Sequence, residues 1–474
     1  MNDNASERTL ISISRKTFFQ VAALLAGLVI AAIALTYIVP RGTFGVLADG
    51  SPDYLNYTRR DDLSGIPLWQ GILAPILVFF SGDGLTLAVL SVFLFVISAA
   101  FQVMNDVGGI RALVGAVSGR FSRRRGLLLV CISFLFYAFG AFLGLFEEML
   151  TMLPIVASLC IALGYDSFTG FLCSILACGF GFASAVTNPF TVLLASEIIG
   201  VSPMTHIWFR LIIFAVMFLL LTAFLGLYVK RLEKDPACSV TREHDSRFSG
   251  LEDTAGAAVA GPRVRRTYTV FLLAALALII VSSLNPALRG YTVVILIIWF
   301  LFGGIAAGAV ACGDLRTVLR SFGKGFVSAL PTLVFIAMAA SVKYIFDKGS
   351  ILPTIVSGIN GLAEGRSPLR IAILIYLIVL ALEFFISSST AKAILVMGLL
   401  AVVNVGLTKT MMVLLYTFAD GYTNVLFPTS PVLLIALSML EIDYFTWLKK
   451  SLPLFAVNLL IVLGFMALGI VVGY

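Results

Sequence analysis

Two threonine–asparagine pairs interrupt apolar runs in the two halves of the chain. Thr187-Asn188-Pro189 lies in the first half, and Thr423-Asn424 is followed by Pro428 and Pro431 in the second. Broken backbone at membrane depth is tolerated only where it is buried in protein or lines a watery cavity. A break exposes N–H groups that suit a carboxylate and carbonyls that suit Na⁺ or an ammonium. The breaks therefore predict a site for a small charged solute.

A polar cluster precedes each break within an apolar run. Glu147-Glu148 lies in the first half, and Ser387-Ser388-Ser389-Thr390 lies in the second. A charge at bilayer depth costs about 2.5–3.5 kcal/mol, so two adjacent carboxylates need a cavity or a cation. We expect both clusters and both Thr-Asn pairs to bind substrate. The alternatives are a solvated tip for the acids and interhelical hydrogen bonds for the hydroxyl groups.

Three further charged residues, Glu383, Lys392 and Asp420, lie within the apolar segments of the second half. Glu383 and Lys392 can pair, which lowers the penalty of keeping both charged in low dielectric. Alternatively, Lys392 stands where a coupling cation would bind, as suits an exchanger. Asp420 can coordinate Na⁺, carry a proton or simply end a helical turn. We expect no metal site and no cofactor apart from Na⁺ or H⁺ as a coupling ion.

Membrane helices must position these residues. The sequence is 60% hydrophobic and 12% charged, with a mean hydropathy of +1.05, which is typical of an integral membrane protein. Its net charge of +7 implies no nucleic-acid partner, because cytoplasmic loops of membrane proteins are rich in Lys and Arg. The run 17–39 is long enough to cross and lacks a cleavage site, so it predicts a first transmembrane helix. We expect an all-α, multi-pass protein of the inner membrane.

The chain is predicted to contain two membrane repeats. We expect a cytoplasmic tail at 1–16, a first repeat at 17–229, a cytoplasmic linker at 230–266 and a second repeat at 267–474. Within the repeats we predict an external loop at 40–65, an extra span at 267–284, re-entrant hairpins at 126–163 and 368–407, and broken helices at 168–200 and 409–440. The clusters at 147–148 and 387–390 would form the hairpin tips. Two full spans joined by a tight turn are the alternative for each hairpin.

Charge and repeated landmarks predict the orientation. Most Lys and Arg residues fall on one side when the N-terminus is cytoplasmic, which places the C-terminus outside. The tip, the break and two further landmarks recur in the same order in both halves, and the extra span turns the second half over. This predicts an inverted repeat. Gly304 and Gly308 form a stripe of small residues for helix packing, with a dimer face as a further option.

Several motifs resemble the YfcC-like branch of the C4-dicarboxylate anaerobic carrier family. They are the runs 35–44, 145–148, 162–167 and 181–191. The resemblance covers nearly the whole chain and implies the fold of the wider ion transporter superfamily, with re-entrant hairpins, broken helices and a homodimer with an elevator-like transport domain. Members are assigned either dicarboxylates or basic amino acids. In dicarboxylate carriers both tips tend to read Ser-Asn-Thr, which Ser389-Thr390 approaches, whereas the first tip here carries two carboxylates.

We therefore expect a secondary active transporter in the lipid bilayer that works by alternating access on an amino acid. The expected substrate is a basic amino acid of the arginine or ornithine type, moved by exchange or ion coupling. The main alternative is a Na⁺- or H⁺-coupled C4-dicarboxylate carrier, and a neutral or peptide-like solute is a third. Neither His206 nor His244 belongs to an HExxH motif, and no P-loop or GxSxG motif occurs, so we expect no enzyme. A channel would be distinguished by currents too large for a turnover cycle.

Overall fold

Helices dominate the part of the chain that the computed structural model describes. That part comprises residues 15–47, 52–62, 64–82, 84–242, 244–245, 261–285, 287–288, 291–358, 367–386, 389–402 and 406–474. Its α-helices are α1 (Arg15–Ile38), α2 (Leu68–Leu77), α3 (Gly84–Asp106), α4 (Gly109–Phe121), α5 (Arg125–Ala138), α6 (Leu153–Ala162), α7 (Ser167–Phe171), α8 (Ala177–Ala183), α9 (Leu194–Ile199), α10 (Ile207–Lys234), α11 (Pro262–Leu284), α12 (Thr292–Ile298), α13 (Gly304–Cys312), α14 (Leu315–Ser328), α15 (Leu330–Lys348), α16 (Leu352–Ser357), α17 (Pro368–Glu383), α18 (Ser389–Val402), α19 (Lys409–Thr423), α20 (Pro431–Met439) and α21 (Tyr444–Val471).

Eight helical stretches within the described residues are long and apolar enough to cross a bilayer. They are Val21–Ile38, Gly84–Asp106, Arg125–Leu143, Ile207–Lys234, Pro262–Ser282, Thr292–Cys312, Leu315–Lys348 and Tyr444–Val471. A helix rises 1.5 Å per residue, so about 20 residues cover the hydrocarbon core. The chain is therefore a multi-span membrane protein.

Helix α10 illustrates how these spans are packed. Its buried residues recur mostly every fourth position and form one stripe, which includes Phe209, Ile213, Met217, Leu221, Leu225 and Val229. Leu211, Leu219 and Leu227 lie on the opposite face and are exposed. Apolar residues are favoured on both faces of α10, because the buried face packs against protein and the exposed face contacts lipid. The continuous hydropathy of the sequence therefore reflects two different surroundings.

A two-stranded β-hairpin occupies the segment that the sequence predicted as an external loop. Strand β1 (Gly42–Val46) pairs antiparallel with β2 (Pro52–Arg59), with a bulge between Phe44 and Gly45. The Tyr57 ring packs over Gly42, where a Cβ atom would lie 2.2 Å from the ring. The prediction of an all-α fold is therefore corrected here, because this segment forms two short strands. The segment lacks the continuous alternation of apolar and polar residues that would have indicated strands.

The segment 126–163 doubles back on itself. The Arg125 guanidinium, at the start of α5, donates to the Leu163 carbonyl, just beyond the end of α6, at 3.4 Å. Helix α5 continues through a π-helical turn at Phe139–Leu143, and α6 begins after a 3₁₀ turn at Glu148–Thr151. Helix α6 has 10 residues and is about 15 Å long, half the thickness of a hydrocarbon core of about 30 Å. Helix α6 alone is thus shorter than the hydrocarbon core.

The stripe of small residues on α13 packs within the chain. A Cβ atom on Gly304 would lie 2.9 Å from the Ala100 Cβ atom, and one on Gly308 would lie 2.5 Å from Val103. Both contacts are to α3, which is largely buried. The absence of side chains on α13 therefore allows close approach to α3. Gly304 and Gly308 therefore have the packing role, and their small surface is used within the chain and not for a dimer contact.

The linker between the halves is helical at both ends. Helix α10 extends to Lys234 and α11 begins at Pro262, so the ends of the predicted range 230–266 belong to spans. Beyond α10, the Ser239 hydroxyl donates to the Asp166 carboxylate at 2.7 Å. The His244 side chain lies 2.7 Å from that of Glu441. The described part of the linker therefore contacts both halves of the chain.

Candidate functional site

The first break lies between α8, which ends at Ala183, and a π-helical turn that begins at Pro189. Asn188 caps this turn because its Oδ1 atom accepts from the Phe190 N–H group at 2.8 Å. Its Nδ2 atom donates to the Gly140 carbonyl at 3.2 Å. Such a cap satisfies one of the N–H groups that a helix start leaves unpaired. The break is therefore ordered, not merely flexible.

The first tip, residues 144–148, packs against this break. The Thr187 hydroxyl donates to the Phe142 carbonyl at 3.2 Å, and the Val186 N–H donates to the Ala141 carbonyl at 2.9 Å. Gly144 has a φ of 69°, and a Cβ atom there would lie 2.5 Å from Asn188 Oδ1. Only glycine fits both the backbone conformation and the space. Thr187 and Asn188, predicted to bind substrate, use their hydrogen bonds to join the break to the π-helical turn at Phe139–Leu143 that leads into the tip.

Glu147 and Glu148 follow directly and differ in exposure. The Glu147 side chain is exposed, whereas Glu148 is 8% exposed. The tip is anchored beside them, because the Cys178 thiol donates to the Leu145 carbonyl and the rings of Phe146 and Phe182 lie 6.3 Å apart. The predicted acids thus follow residues that pack along α8, and Glu147 is exposed whereas Glu148 is buried.

A buried charge cluster, formed by Glu383, Lys392 and Asp420, lies at the other half of the site. The Lys392 ammonium contacts the Glu383 carboxylate and lies 2.8 Å from Asp420 Oδ1. It also donates to the Ile386 carbonyl at 2.9 Å. Lys392 and Asp420 are completely buried, and Glu383 is 3% exposed. Oxygen atoms of Glu383, Asp420 and Ile386 therefore surround the Lys392 ammonium, as a charge buried in low dielectric requires.

This arrangement has a definite electrostatic character. The pairing of Glu383 with Lys392 that the sequence suggested is present, and Asp420 joins it. Two carboxylates surround one ammonium, so the cluster carries a formal charge of −1. The oxygen atoms that face the ammonium belong to these two carboxylates and to the Ile386 carbonyl. Removing one partner from a buried ion pair typically costs about 3–5 kcal/mol, so the cluster is tightly interdependent.

The second tip, residues 387–390, is described only in part. Ser387 and Ser388 lie outside the described residues, as does the side chain of Thr390. The Ser389 hydroxyl donates to Asp420 Oδ2 at 2.8 Å, and the Tyr416 hydroxyl contacts the Ser389 carbonyl. Ser389 therefore connects the tip to the buried charge cluster. No sequence signal distinguished Tyr416, which lies in an unbroken apolar run.

The second break begins where α19 ends at Thr423, and α20 resumes at Pro431. The Thr423 hydroxyl donates to the Ala419 and Asp420 carbonyls, each at 3.1 Å. The Asn424 amide donates to the Asp420 carbonyl at 3.0 Å. Thr423 and Asn424 thus bond the last carbonyls of their own helix, which a helix end otherwise leaves unpaired. Both side chains are buried next to the cluster residue Asp420.

The two broken helices cross at their breaks. A Cβ atom on Gly421 would lie 2.0 Å from the Ala183 Cα atom, and one on Gly179 would lie 2.3 Å from Val425. The residue pairs run in opposite directions, so α8 and α19 are antiparallel at the crossing. The Trp447 indole donates to the Val425 carbonyl at 3.0 Å and fixes the second break from outside. The glycines inside otherwise helical runs were the sequence signal for this approach.

Comparisons with known proteins identify the family of the chain. A family model described as C4-dicarboxylate anaerobic carrier matches residues 20–471. The chain is 26% identical over 464 residues to an Escherichia coli (strain K12) protein named "Putative basic amino acid antiporter YfcC", covering 91% of this chain and 88% of that protein. It is 26% identical over 381 residues to a Haemophilus influenzae protein named "Uncharacterized protein", covering 78% and 73%.

Two solved transporter structures are similar to the chain at low sequence identity. The Alcanivorax borkumensis YdaH transporter, described as having an unusual topology, is 17% identical with a TM-score of 0.46 and covers 96% of this chain and 99% of its own. Neisseria gonorrhoeae MtrF is 15% identical with a TM-score of 0.44 and covers 94% of both chains. The family is shown by the family model, which spans nearly the whole sequence. This multi-span chain therefore belongs to the C4-dicarboxylate anaerobic carrier family of membrane transporters.

Proposed function

We propose that the protein is a secondary active exchanger of basic amino acids of the arginine or ornithine type. The observation that carries this proposal is the charge balance beside the two breaks. Four carboxylates, those of Glu147, Glu148, Glu383 and Asp420, accompany one ammonium, that of Lys392. The formal charge of these five groups is −3 when all are ionised. Such surroundings attract a substrate that carries a side-chain cation.

A C4-dicarboxylate would meet the opposite field. Two unit charges 4 Å apart interact by about 4 kcal/mol at an effective dielectric constant of 20. A dianion beside the first tip would face repulsion of this order from each ionised acid. The dicarboxylate carrier nevertheless remains the second candidate, because the family description names that substrate class. The name of the Escherichia coli relative favours the basic amino acid.

Within this proposal, exchange is favoured over Na⁺ coupling by the position of Lys392. Its ammonium lies among the carboxylates and the Ile386 carbonyl, where a coupling cation would otherwise bind. A covalently attached cation cannot be released to either side, so it cannot supply the energy of an ion gradient. The energy for uptake would then come from the outward gradient of a second amino acid.

The transport movement belongs to the same proposal. The segments 126–163 and 368–407 would be re-entrant hairpins of an inverted repeat, moving with both broken helices as the elevator domain of a homodimer. The short helix α6 and the contact of Arg125 with Leu163 support a hairpin that enters and leaves on one side. The protein would lie in the inner membrane, with its N-terminus cytoplasmic and its C-terminus external. Substrate would then reach the breaks from alternate sides.

The experiment that tests this function is counterflow in proteoliposomes. Vesicles loaded with unlabelled arginine should accumulate labelled arginine or ornithine, whereas empty vesicles should not, and replacing Na⁺ by choline should change neither result. Vesicles loaded with succinate serve as the matched control. Accumulation of labelled succinate against internal succinate, without arginine counterflow, would contradict the proposal and favour the dicarboxylate carrier.

A further inference from the structure

A cavity of ≈ 500 Å³ lies between the β-hairpin and the second half of the site. Sites for small molecules typically measure about 300–1,000 Å³, so this one can hold an amino acid. Its walls come from β1, the end of α15, the start of α16, Ile386 beyond the end of α17 and Leu395 on α18. They include Thr43, Lys343, Asp347, Ser350, Ile386 and Leu395.

Two opposite charges lie on one wall. Lys343 and Asp347 are four residues apart on α15, which places their Cβ atoms roughly 5–6 Å apart on one helix face. The Lys343 side chain is half-buried and that of Asp347 is exposed. Every α-amino acid carries an ammonium and a carboxylate on a single carbon atom. A pair of side chains with opposite charge at this spacing can therefore meet both groups at once.

We propose that this cavity is an access vestibule that binds the zwitterionic head of an amino acid before it reaches the buried charge cluster. Lys343 receives the α-carboxylate and Asp347 receives the α-ammonium. The inference rests on the proposed function and names the part of the substrate that is recognised first. A dicarboxylate has no group for Asp347 and is disfavoured there. The side chain of the amino acid is read later, by the acids beside the breaks.

The vestibule and the buried charge cluster share a wall. Ile386 lines the cavity, and its carbonyl oxygen accepts from the Lys392 ammonium at 2.9 Å. Leu395 lines the cavity and lies three residues from Lys392 on α18, so both belong to one helix face. Ile386 is 2% exposed. A small displacement of Ile386 and Leu395 would connect the vestibule with the buried charge cluster.

The opposite wall is held in a strained conformation. Ser350 has a φ of 52°, in the region that favours glycine, and its carbonyl accepts from the Gly42 N–H at 3.1 Å. The Tyr57 hydroxyl lies 2.8 Å from the Thr354 hydroxyl and ties β2 to α16. Strained residues concentrate at ligand clamps and switch regions. The β-hairpin is thus fastened over the vestibule, and a ligand inside touches both the hairpin side and the α17–α18 side.

Cysteine protection tests the vestibule without requiring transport. The six free cysteines are replaced, Thr43→Cys is introduced, and its modification by a membrane-impermeant maleimide is timed with arginine, glycine or succinate present. Arginine and glycine should both slow the reaction, because they share the zwitterionic head, and succinate should not. Unchanged rates with both amino acids, or equal protection by succinate, would overturn the vestibule.

Kinetics of two charge variants supply the second test. Lys343→Gln and Asp347→Asn should each raise the KM for arginine about tenfold with little change in kcat, since each removes a charged contact that binds the substrate head in the vestibule. Lys348→Gln is the matched control, because Lys348 stacks on Tyr344 and does not line the cavity. Unchanged KM in both variants would overturn the assignment of these charges. Amino-acid protection of Thr43→Cys in a protein that lacks arginine counterflow would support the vestibule while refuting the proposed function.

Discussion

The Lys392 ammonium lies 2.8 Å from Asp420 Oδ1, and both side chains are completely buried. Asp420 lies in the last turn of α19, four residues before Asn424, so this ion pair ties the second tip to the second break. Glu383 completes the arrangement from α17. A residue of the chain therefore supplies the cation between these two carboxylates, and this relationship leads to the first prediction.

Lys392→Ala should make the stability of the protein depend on Na⁺. The substitution leaves two buried carboxylates without a cation, which typically costs about 3–5 kcal/mol, and a small free cation can take the vacated place. We expect the variant to have a lower Tm than the parent and to recover part of it as NaCl replaces choline chloride. The parent should respond equally to both salts.

Lys324→Ala is the matched control, because Lys324 is exposed on α14. It should leave the Tm within about 1 °C of the parent, since surface substitutions change stability by roughly 0.5 kcal/mol or less. A Na⁺-specific increase in the Tm of the parent itself would show that Lys392 does not replace a coupling ion.

Asn188→Ala should lower both transport and stability. The alanine loses the cap on Phe190 N–H and the bond to the Gly140 carbonyl, and loss of an N-cap alone costs about 1 kcal/mol. Asn188→Asp keeps the capping oxygen and loses the Nδ2 donor, so we expect an intermediate Tm. Arginine uptake and Tm are measured on the same preparations. Normal uptake in both variants would exclude Asn188 from the site.

Gly421→Ala should disrupt the crossing of the broken helices. The added methyl group would lie 2.0 Å from the backbone of Ala183, and such overpacking typically costs about 1–3 kcal/mol. Gly464→Ala is the matched control, because it lies inside α21 with nothing within 4 Å of its Cβ position. The control should keep or slightly raise the Tm, since alanine favours helices over glycine. Similar Tm values for both variants would contradict the crossing.

The proposed orientation predicts which side of the membrane reaches each hairpin. A single cysteine at Arg124 should react with an impermeant maleimide only from the cytoplasm. A single cysteine at Lys409 should react only from outside. Both positions are exposed, so access and not burial decides the result. Glu147→Cys should react more slowly than either. Reaction of Glu147→Cys exclusively from the outside, at the rate of a free thiol, would indicate two ordinary spans in place of the first hairpin.

Local sequence signals predicted the parts of the site that depend on broken periodicity. The interruptions after Ala183 and after Thr423 could be placed because proline, asparagine and threonine stand out in apolar runs. The resemblance to the C4-dicarboxylate anaerobic carriers is confirmed by the family model. The pairing of Glu383 with Lys392 was foreseen because buried charges need partners.

Features that depend on long-range packing could not be read from the sequence. The participation of Asp420 beside Lys392 requires α17, α18 and α19 to meet, and nothing local specifies that. The hydrogen bonds that engage Thr187 and Asn188 involve the backbone carbonyls of Phe142 and Gly140, just before the first tip, which no side-chain pattern reports. The β-hairpin at 42–59 was missed because the segment lacks a continuous alternation of apolar and polar residues.

The central claim, that acids beside the breaks select a cationic substrate, is tested most directly by arginine transport in the double variant Glu147→Gln/Glu148→Gln. Removing both charges should lower kcat/KM for arginine about tenfold or more and leave the Tm unchanged. The control variant Glu197→Gln, at an exposed position on α9, should transport arginine like the parent. Succinate should compete with arginine in neither the parent nor the control. Retained arginine transport in the double variant, or saturable succinate transport by the parent, would contradict the account.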